Sequence, residues 1–171
     1  MKLSKENLII RQASVEDAEI LCNWWNDGKV MAHAGFPKGL GKDIEGVIEE
    51  INKQSENSKR LIIEVDNVRI GEMCYRINEN IAEIGIKICE VSYQEKGYGT
   101  ELLKMLFRYL FEEMSVDKIV LDTNLKNKRA QHVYEKIGFV KVGVRIESWI
   151  DQLGQSQSAV DYELKKEDFY K

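Results

Sequence analysis

The chain has 171 residues, enough for one domain of ordinary size, and its 43% hydrophobic content supports a buried core and excludes a disordered chain. Lys plus Arg number 25 against 29 Asp plus Glu; the formal charge of −4 argues against general nucleic-acid binding, which needs a basic excess to neutralise phosphates. No apolar run approaches the roughly 20 residues that span a bilayer. The opening residues Met1 to Asn7 hold no apolar signal core, so a cytoplasmic setting with no membrane partner is expected.

The hydrophobic period switches between 2 and 3.6 along the chain, which marks a mixed α and β domain. Leu8 to Ala13 reads as a first strand. Ser14 with Asp17 resembles a capping box that opens a helix with Ala18, Leu21, Cys22 and Trp25 on one stripe, closed by Gly28. Trp24 falls off that stripe, as a half-buried aromatic or a cleft-lining one. Asp43 is placed to cap a second helix with Ile44, Val47, Ile48 and Ile51 on its stripe. Leu61 to Val65, the pair Asp66-Asn67 and the run Val68 to Ile77 read as a hairpin. Asn78-Glu79-Asn80 is a second turn. Ile81 to Cys89 forms a strand in which Ala82, Ile84, Ile86 and Ile88 alternate with more polar positions.

A deeply buried helix is expected from Gly97 to Met114, on Leu103, Phe107, Leu110 and Met114. Lys118 to Asp122 reads as a strand and Asn127 to Ile137 as a helix, with Ala130, Val133, Tyr134 and Ile137 at helical spacing and Gly138 as its stop. Strands over about 140–149 and 158–164 close the chain. The order β-α-α-β-β-β-α-β-α-β-β implies one α/β domain over residues 1–171, with helices packed on a mixed sheet. Cys22, Cys74 and Cys89 are spaced neither as a disulfide framework nor as zinc ligands. They read as buried packing residues, and no metal site is expected.

The segment Gln94-Glu95-Lys96-Gly97-Tyr98-Gly99-Thr100 lies between a strand and the long helix. A helix N-terminus presents unpaired N–H groups and partial positive charge, and two glycines let the backbone come close to a ligand without a Cβ clash. A diphosphate suits that arrangement. The P-loop spacing is absent, and Leu102 stands where the dinucleotide fingerprint needs a third glycine. A plain strand-to-helix turn would account for Gly97-x-Gly99 taken alone.

Two motifs together resemble the GNAT acyltransferases. Gln94-x-x-Gly97-x-Gly99 is similar to their acetyl-CoA pyrophosphate motif. Asn127-x-x-Ala130 followed by Tyr134-x-x-x-Gly138-Phe139 is similar to their second signature. Glu95 departs from the family, where glycine is common. Ala82 to Ile86 and the late hairpin are similar to the branch that contains N-terminal-amine and spermidine acetyltransferases. The resemblance implies a mostly antiparallel seven-stranded mixed sheet with about four helices. It also implies direct acetyl transfer from acetyl-CoA to a primary amine in a ternary complex, without an acyl-enzyme.

On this resemblance the pantetheine lies along Ile86, Ile88, Cys89 and Val91, where free backbone groups bind its amides and polarise the thioester. The diphosphate lies on Gln94, Glu95, Lys96, Gly97, Tyr98, Gly99 and Thr100. Asn127, Arg129, Ala130 and Tyr134 complete the coenzyme contacts. Tyr134 matches the tyrosine that serves as general acid to the leaving thiolate; by pattern alone it is a core aromatic. For the general base, Glu83 comes first and Glu72 second, each equally readable as an ordinary polar residue on one sheet face. Residues 31–41 lie where relatives build the acceptor cleft, and residues 149–157 are expected as its opposite wall. The acceptor is a protein N-terminus, polyamine, aminoglycoside or other small amine. A non-catalytic acyl-CoA-binding module is the alternative. Edge strands of this fold often pair, so a homodimer is also an expectation.

Overall fold

The computed structural model describes all 171 residues. In chain order the strands and helices are β1 (Lys2–Lys5), β2 (Leu8–Gln12), α1 (Ala18–Trp25), α2 (Gly28–Met31), α3 (Ile44–Asn52), β3 (Ser58–Val65), β4 (Val68–Asn78), β5 (Ile81–Ile88), α4 (Tyr98–Glu112), β6 (Lys118–Asn124), α5 (Lys128–Ile137), β7 (Val140–Ile150), β8 (Ser156–Lys165) and α6 (Lys166–Phe169). The mixed α/β class is as expected. There are eight strands rather than seven, and six helices rather than about four. The additions are β1 and the four-residue helices α2 and α6, each too short to carry a period.

The chain forms two compact units. The first comprises Met1–Ala13, Gln54–Val120 and Lys165–Lys171. Its strands lie in the order β1-β2-β3-β4-β5-β6, antiparallel except for the parallel pair β5–β6. Asp66 and Asn67 (φ 50° and 65°) join β3 to β4, and Glu79 and Asn80 (φ 50° and 64°) join β4 to β5. A two-residue turn with positive φ at both positions matches the twist of an antiparallel pair, so each hairpin closes tightly. Between the pairs Ile63↔Gly71 and Glu64↔Arg69 the β3–β4 register slips by one residue at Ile70. That bulge decides which side chains share a face.

Helix α4 packs across β1, β2 and β5. It buries Leu102, Leu103, Met105, Leu106, Phe107, Leu110 and Phe111, the deep burial expected of it. Phe169 of α6 stands on Phe107 and Phe111, with ring centroids 5.9 and 5.7 Å apart.

The second unit comprises Ser14–Lys53 and Leu121–Leu164. Strand β6 continues into it, and the order there is β6-β8-β7. The Asp17 carboxylate accepts from the Ser14 amide at 2.9 Å, and Asp43 Oδ1 accepts from the Gly46 amide at 2.8 Å, so both expected helix starts are capped. Gly28 does not end α1, which stops at Trp25 with Asn26 as C-cap. Gly28 opens α2 instead, and a Cβ there would collide with the Pro37 carbonyl. Trp24 and Trp25 are both buried, at 5% and 4% exposure, so Trp24 is not half-exposed as its position off the stripe suggests. An eight-residue helix packed against both α2 and α3 buries more than one stripe.

Candidate active site

In the first unit, β5 runs into a 3-10 turn at Val91–Tyr93, then the Gln94 to Gly97 loop, then α4. Glu95 (φ 59°) and Gly97 (φ 82°) are both left-handed. Glycine takes that conformation without a Cβ penalty, whereas Glu95 carries the cost. Gly97 is the N-cap of α4 and offers no side-chain cap to the first-turn amides. A Cβ on Gly97 or Gly99 would meet nothing within 4 Å. The fold itself therefore does not need glycine at 99; the open space lies directly over an uncapped helix N-terminus. These residues fit a diphosphate.

The strand leading to this loop is more occupied than expected. Ile70 at the bulge accepts from the amides of Cys89 (2.8 Å) and Glu90 (3.1 Å) through its carbonyl. Gln94 donates through Nε2 to the Ile88 carbonyl at 2.9 Å. The Cys89 amide and the Ile88 carbonyl are thus spent within the chain, which revises the expectation of free backbone groups at those two positions. Gln94 emerges as a strap that fixes the loop to the end of β5. Val91 is three-quarters exposed, at 75%.

The two candidate bases stand in different surroundings. Glu83, near the start of β5, is exposed and lies 3.5 Å from Arg76. It precedes Ile88 by five residues, roughly 16 Å along a strand at about 3.3 Å per residue. Glu72 on β4 is 3% exposed and pairs in register with Lys87, beside Ile86 and Ile88. Its Oε1 accepts from Arg60 at 2.6 Å. The sequence reading missed Arg60, because only the bulge brings it onto the Glu72 face.

Burial, reinforced by the nearby Glu72 carboxylate, pushes the Cys89 thiol above the usual thiol range. Burial also raises that of Cys74. Thiolate is the nucleophilic form, so neither is primed for attack. A Cys89→Ala variant is expected to keep most of its acetyl-transfer rate; trapping a kinetically competent acetyl-Cys89 species would contradict this.

In the second unit, Asn127 is the N-cap of α5 and accepts through Oδ1 from the Ala130 amide at 3.2 Å. Arg129 and Lys128 are exposed on the first turn. Tyr134 is 8% exposed, with its ring 5.8 Å from Phe139 and 6.0 Å from Tyr162. Gly138 (φ 126°) ends the helix as expected. Burial, with added repulsion from Asp122 and Tyr162, pushes the Tyr134 phenol up to about 12. At neutral pH it is a phenol with a proton to give.

The same shift bears on stability. An unfolded tyrosine ionises near 10, whereas Tyr134 in the fold does so only at about 12. Its contribution is therefore constant below pH 10 and is lost as pH rises from 10 to 12. Urea midpoints measured across that range should fall in the wild type and fall less in Tyr134→Phe. Equal slopes in the two proteins would contradict the assignment.

A strand that runs into an uncapped, glycine-opened helix is the arrangement that a coenzyme A-dependent acyltransferase needs for its diphosphate. A family model described as an acetyltransferase (GNAT) domain matches residues 7–140, and the chain belongs to that family. It uses acetyl-CoA as cosubstrate and is an N-acetyltransferase. The uncharacterized N-acetyltransferase YnaD of Bacillus subtilis is 24% identical over 147 residues, covering 84% of this chain and 85% of the relative. N-alpha-acetyltransferase 30 of Xenopus laevis is 38% identical over 58 residues, 34% of this chain and 21% of that one. A spermidine N-acetyltransferase from Vibrio cholerae, solved in complex with CoA and spermine, has the same fold, with a TM-score of 0.86 at 23% identity over 98% of this chain and 100% of the other.

No group of His, Cys, Asp and Glu side chains in the chain is arranged to hold a metal ion. No helix is long and apolar enough to cross a membrane.

Proposed function

We propose that residues 1–171 act as one catalytic domain that transfers acetyl from acetyl-CoA to a primary amine, a polyamine or a protein N-terminus before an aminoglycoside or other small amine. The observation that carries the reading is the open space over Gly97 and Gly99 at the start of the 15-residue α4. The Vibrio cholerae neighbour and the N-alpha-acetyltransferase relative support the two leading acceptor classes.

In this reading the diphosphate accepts from the first amides of α4, and Gln94 to Thr100 with Asn127, Arg129 and Ala130 complete the coenzyme contacts. The pantetheine follows β5 past Ile86, Ile88 and Val91. The neutral amine attacks the thioester carbonyl; an N–C bond forms, the C–S bond breaks, and Tyr134 protonates the departing thiolate. Glu72 takes the amine proton, directly or through a water. It is preferred to Glu83 because it stands beside the pantetheine strand, whereas Glu83 is exposed at the far end of β5.

Calorimetry with acetyl-CoA and CoA tests the reading. Both should bind the wild type, and Gly99→Val should weaken both while leaving thermal stability unchanged or higher, since a side chain in a helical first turn replaces glycine in open space. No binding at millimolar ligand, about −4 kcal/mol, would overturn it.

A further inference from the structure

Gln152, in the turn between β7 and β8, makes three hydrogen bonds to a segment more than a hundred residues away in sequence. Its amide donates to the Gly35 carbonyl at 2.8 Å. Its side chain accepts from the Lys38 amide through Oε1 at 2.7 Å and donates to the Gly39 carbonyl through Nε2 at 2.9 Å. Beside it, the Trp149 ring lies so close to Gly35 (φ 95°) that any Cβ there would overlap it. The other end of the segment is held in the same manner. Asn26, at the end of α1, donates to the Lys42 carbonyl at 2.7 Å and accepts from the Lys42 amide at 2.8 Å. Two carboxamides, each using both its donor and its acceptor, thus hold an irregular loop from two sides.

The turn that carries Gln152 does not depend on this latch. Asp151 Oδ1 accepts from the Leu153 and Gln155 amides, each at 2.9 Å, and its Oδ2 accepts from Gln157 Nε2 at 2.9 Å. The Gln152 side chain therefore spends its hydrogen bonds on the loop alone. At an exposed position such bonds add little to global stability, yet they fix where the loop backbone sits relative to the turn.

We infer that Gln152 is a positioning residue that sets acceptor specificity: its carboxamide, with Trp149 against Gly35, fixes residues 35–39 against the β7–β8 turn, and so fixes the shape these two segments offer to the amine. This rests on the reading that these two loops receive the acceptor. It assigns Gln152 no contact with the reacting atoms.

Gln152→Met keeps the side chain's length and the backbone bond to Gly35 but loses both carboxamide bonds. Its acceptor KM should rise about tenfold, with kcat changing less, because the released loop no longer holds a single position for the amine. Preference between a slim and a bulky amine should narrow, and acetyl-CoA affinity should hold. Gln152→Glu retains the bond from the Lys38 amide only, so its KM should fall between the two. Hydrogen exchange of the Lys38 amide reads the latch directly and should quicken in Gln152→Met. Faster exchange with unaltered KM and amine preference would overturn the inference, and so would unaltered exchange. A wild type that acetylates no amine would remove instead the reading beneath it, while the exchange data would still report whether the latch exists.

Discussion

Tyr134→Phe is expected to lower turnover by about 10²- to 10⁴-fold, the usual contribution of a positioned general acid, while acetyl-CoA affinity changes little. The ring contacts with Phe139 and Tyr162 are carried by carbon atoms and survive in phenylalanine. What disappears is one proton, on a group whose ionisation is raised to about 12. That value makes a second point: no basic limb of the pH–rate profile below pH 10 can belong to Tyr134. Turnover that is unchanged when chemistry limits the rate would return Tyr134 to the role of a core aromatic.

Glu72→Gln should produce a second large loss, one that depends on pH. An alkyl amine with a pKa near 10.4 is almost wholly protonated at neutral pH and cannot attack a thioester. A carboxylate that removes the proton contributes a factor of about 10² to 10⁴ at that pH. The benefit shrinks as free amine becomes abundant, so the defect of Glu72→Gln should narrow as pH rises toward 10. Glutamine still accepts from Arg60, which keeps the β3–β4 contact and separates chemistry from folding. Glu83→Gln serves as the control and should lose little; a large, pH-dependent loss there, with Glu72→Gln unaffected, would move the base to β5. For an acceptor with a pKa near 8, such as a protein N-terminus, both defects should be smaller.

Much of the candidate site was legible because it is local. The proposed diphosphate loop is seven consecutive residues that open a helix of clear period, and Asn127 to Phe139 lie within a single helix and its stop. The turn signals Asp66-Asn67 and Asn78-Glu79-Asn80 likewise announced their turns, although Asn78 belongs to β4. The Arg60–Glu72 pair was not legible. Counting back from Asp66-Asn67 without a slip places Leu61 opposite Glu72; the bulge at Ile70 places Ile62 there and swings Arg60 onto the same face. A one-residue slip has no signature in composition. The Ile70 carbonyl also takes up the Cys89 and Glu90 amides at the end of β5. Strand β1 was invisible for another reason: in Lys2-Leu3-Ser4-Lys5 only Leu3 is even half-buried, so no alternation marks it. The Gln152 latch joins segments whose proximity is a product of the fold, and a single glutamine in a polar turn carries no sign of a partner at positions 35–39.

Acetyl-CoA-dependent thiol release, measured against spermidine, a free-amine peptide and an aminoglycoside, decides whether the chain transfers acetyl to an amine. Wild type should release free thiol in proportion to N-acetyl product with at least one of these amines, and Gly99→Val should lose most of that rate at subsaturating acetyl-CoA while remaining folded. Tight binding of acetyl-CoA with no amine-stimulated thiol release from any of them would contradict the claim and leave the chain a coenzyme-binding module without turnover.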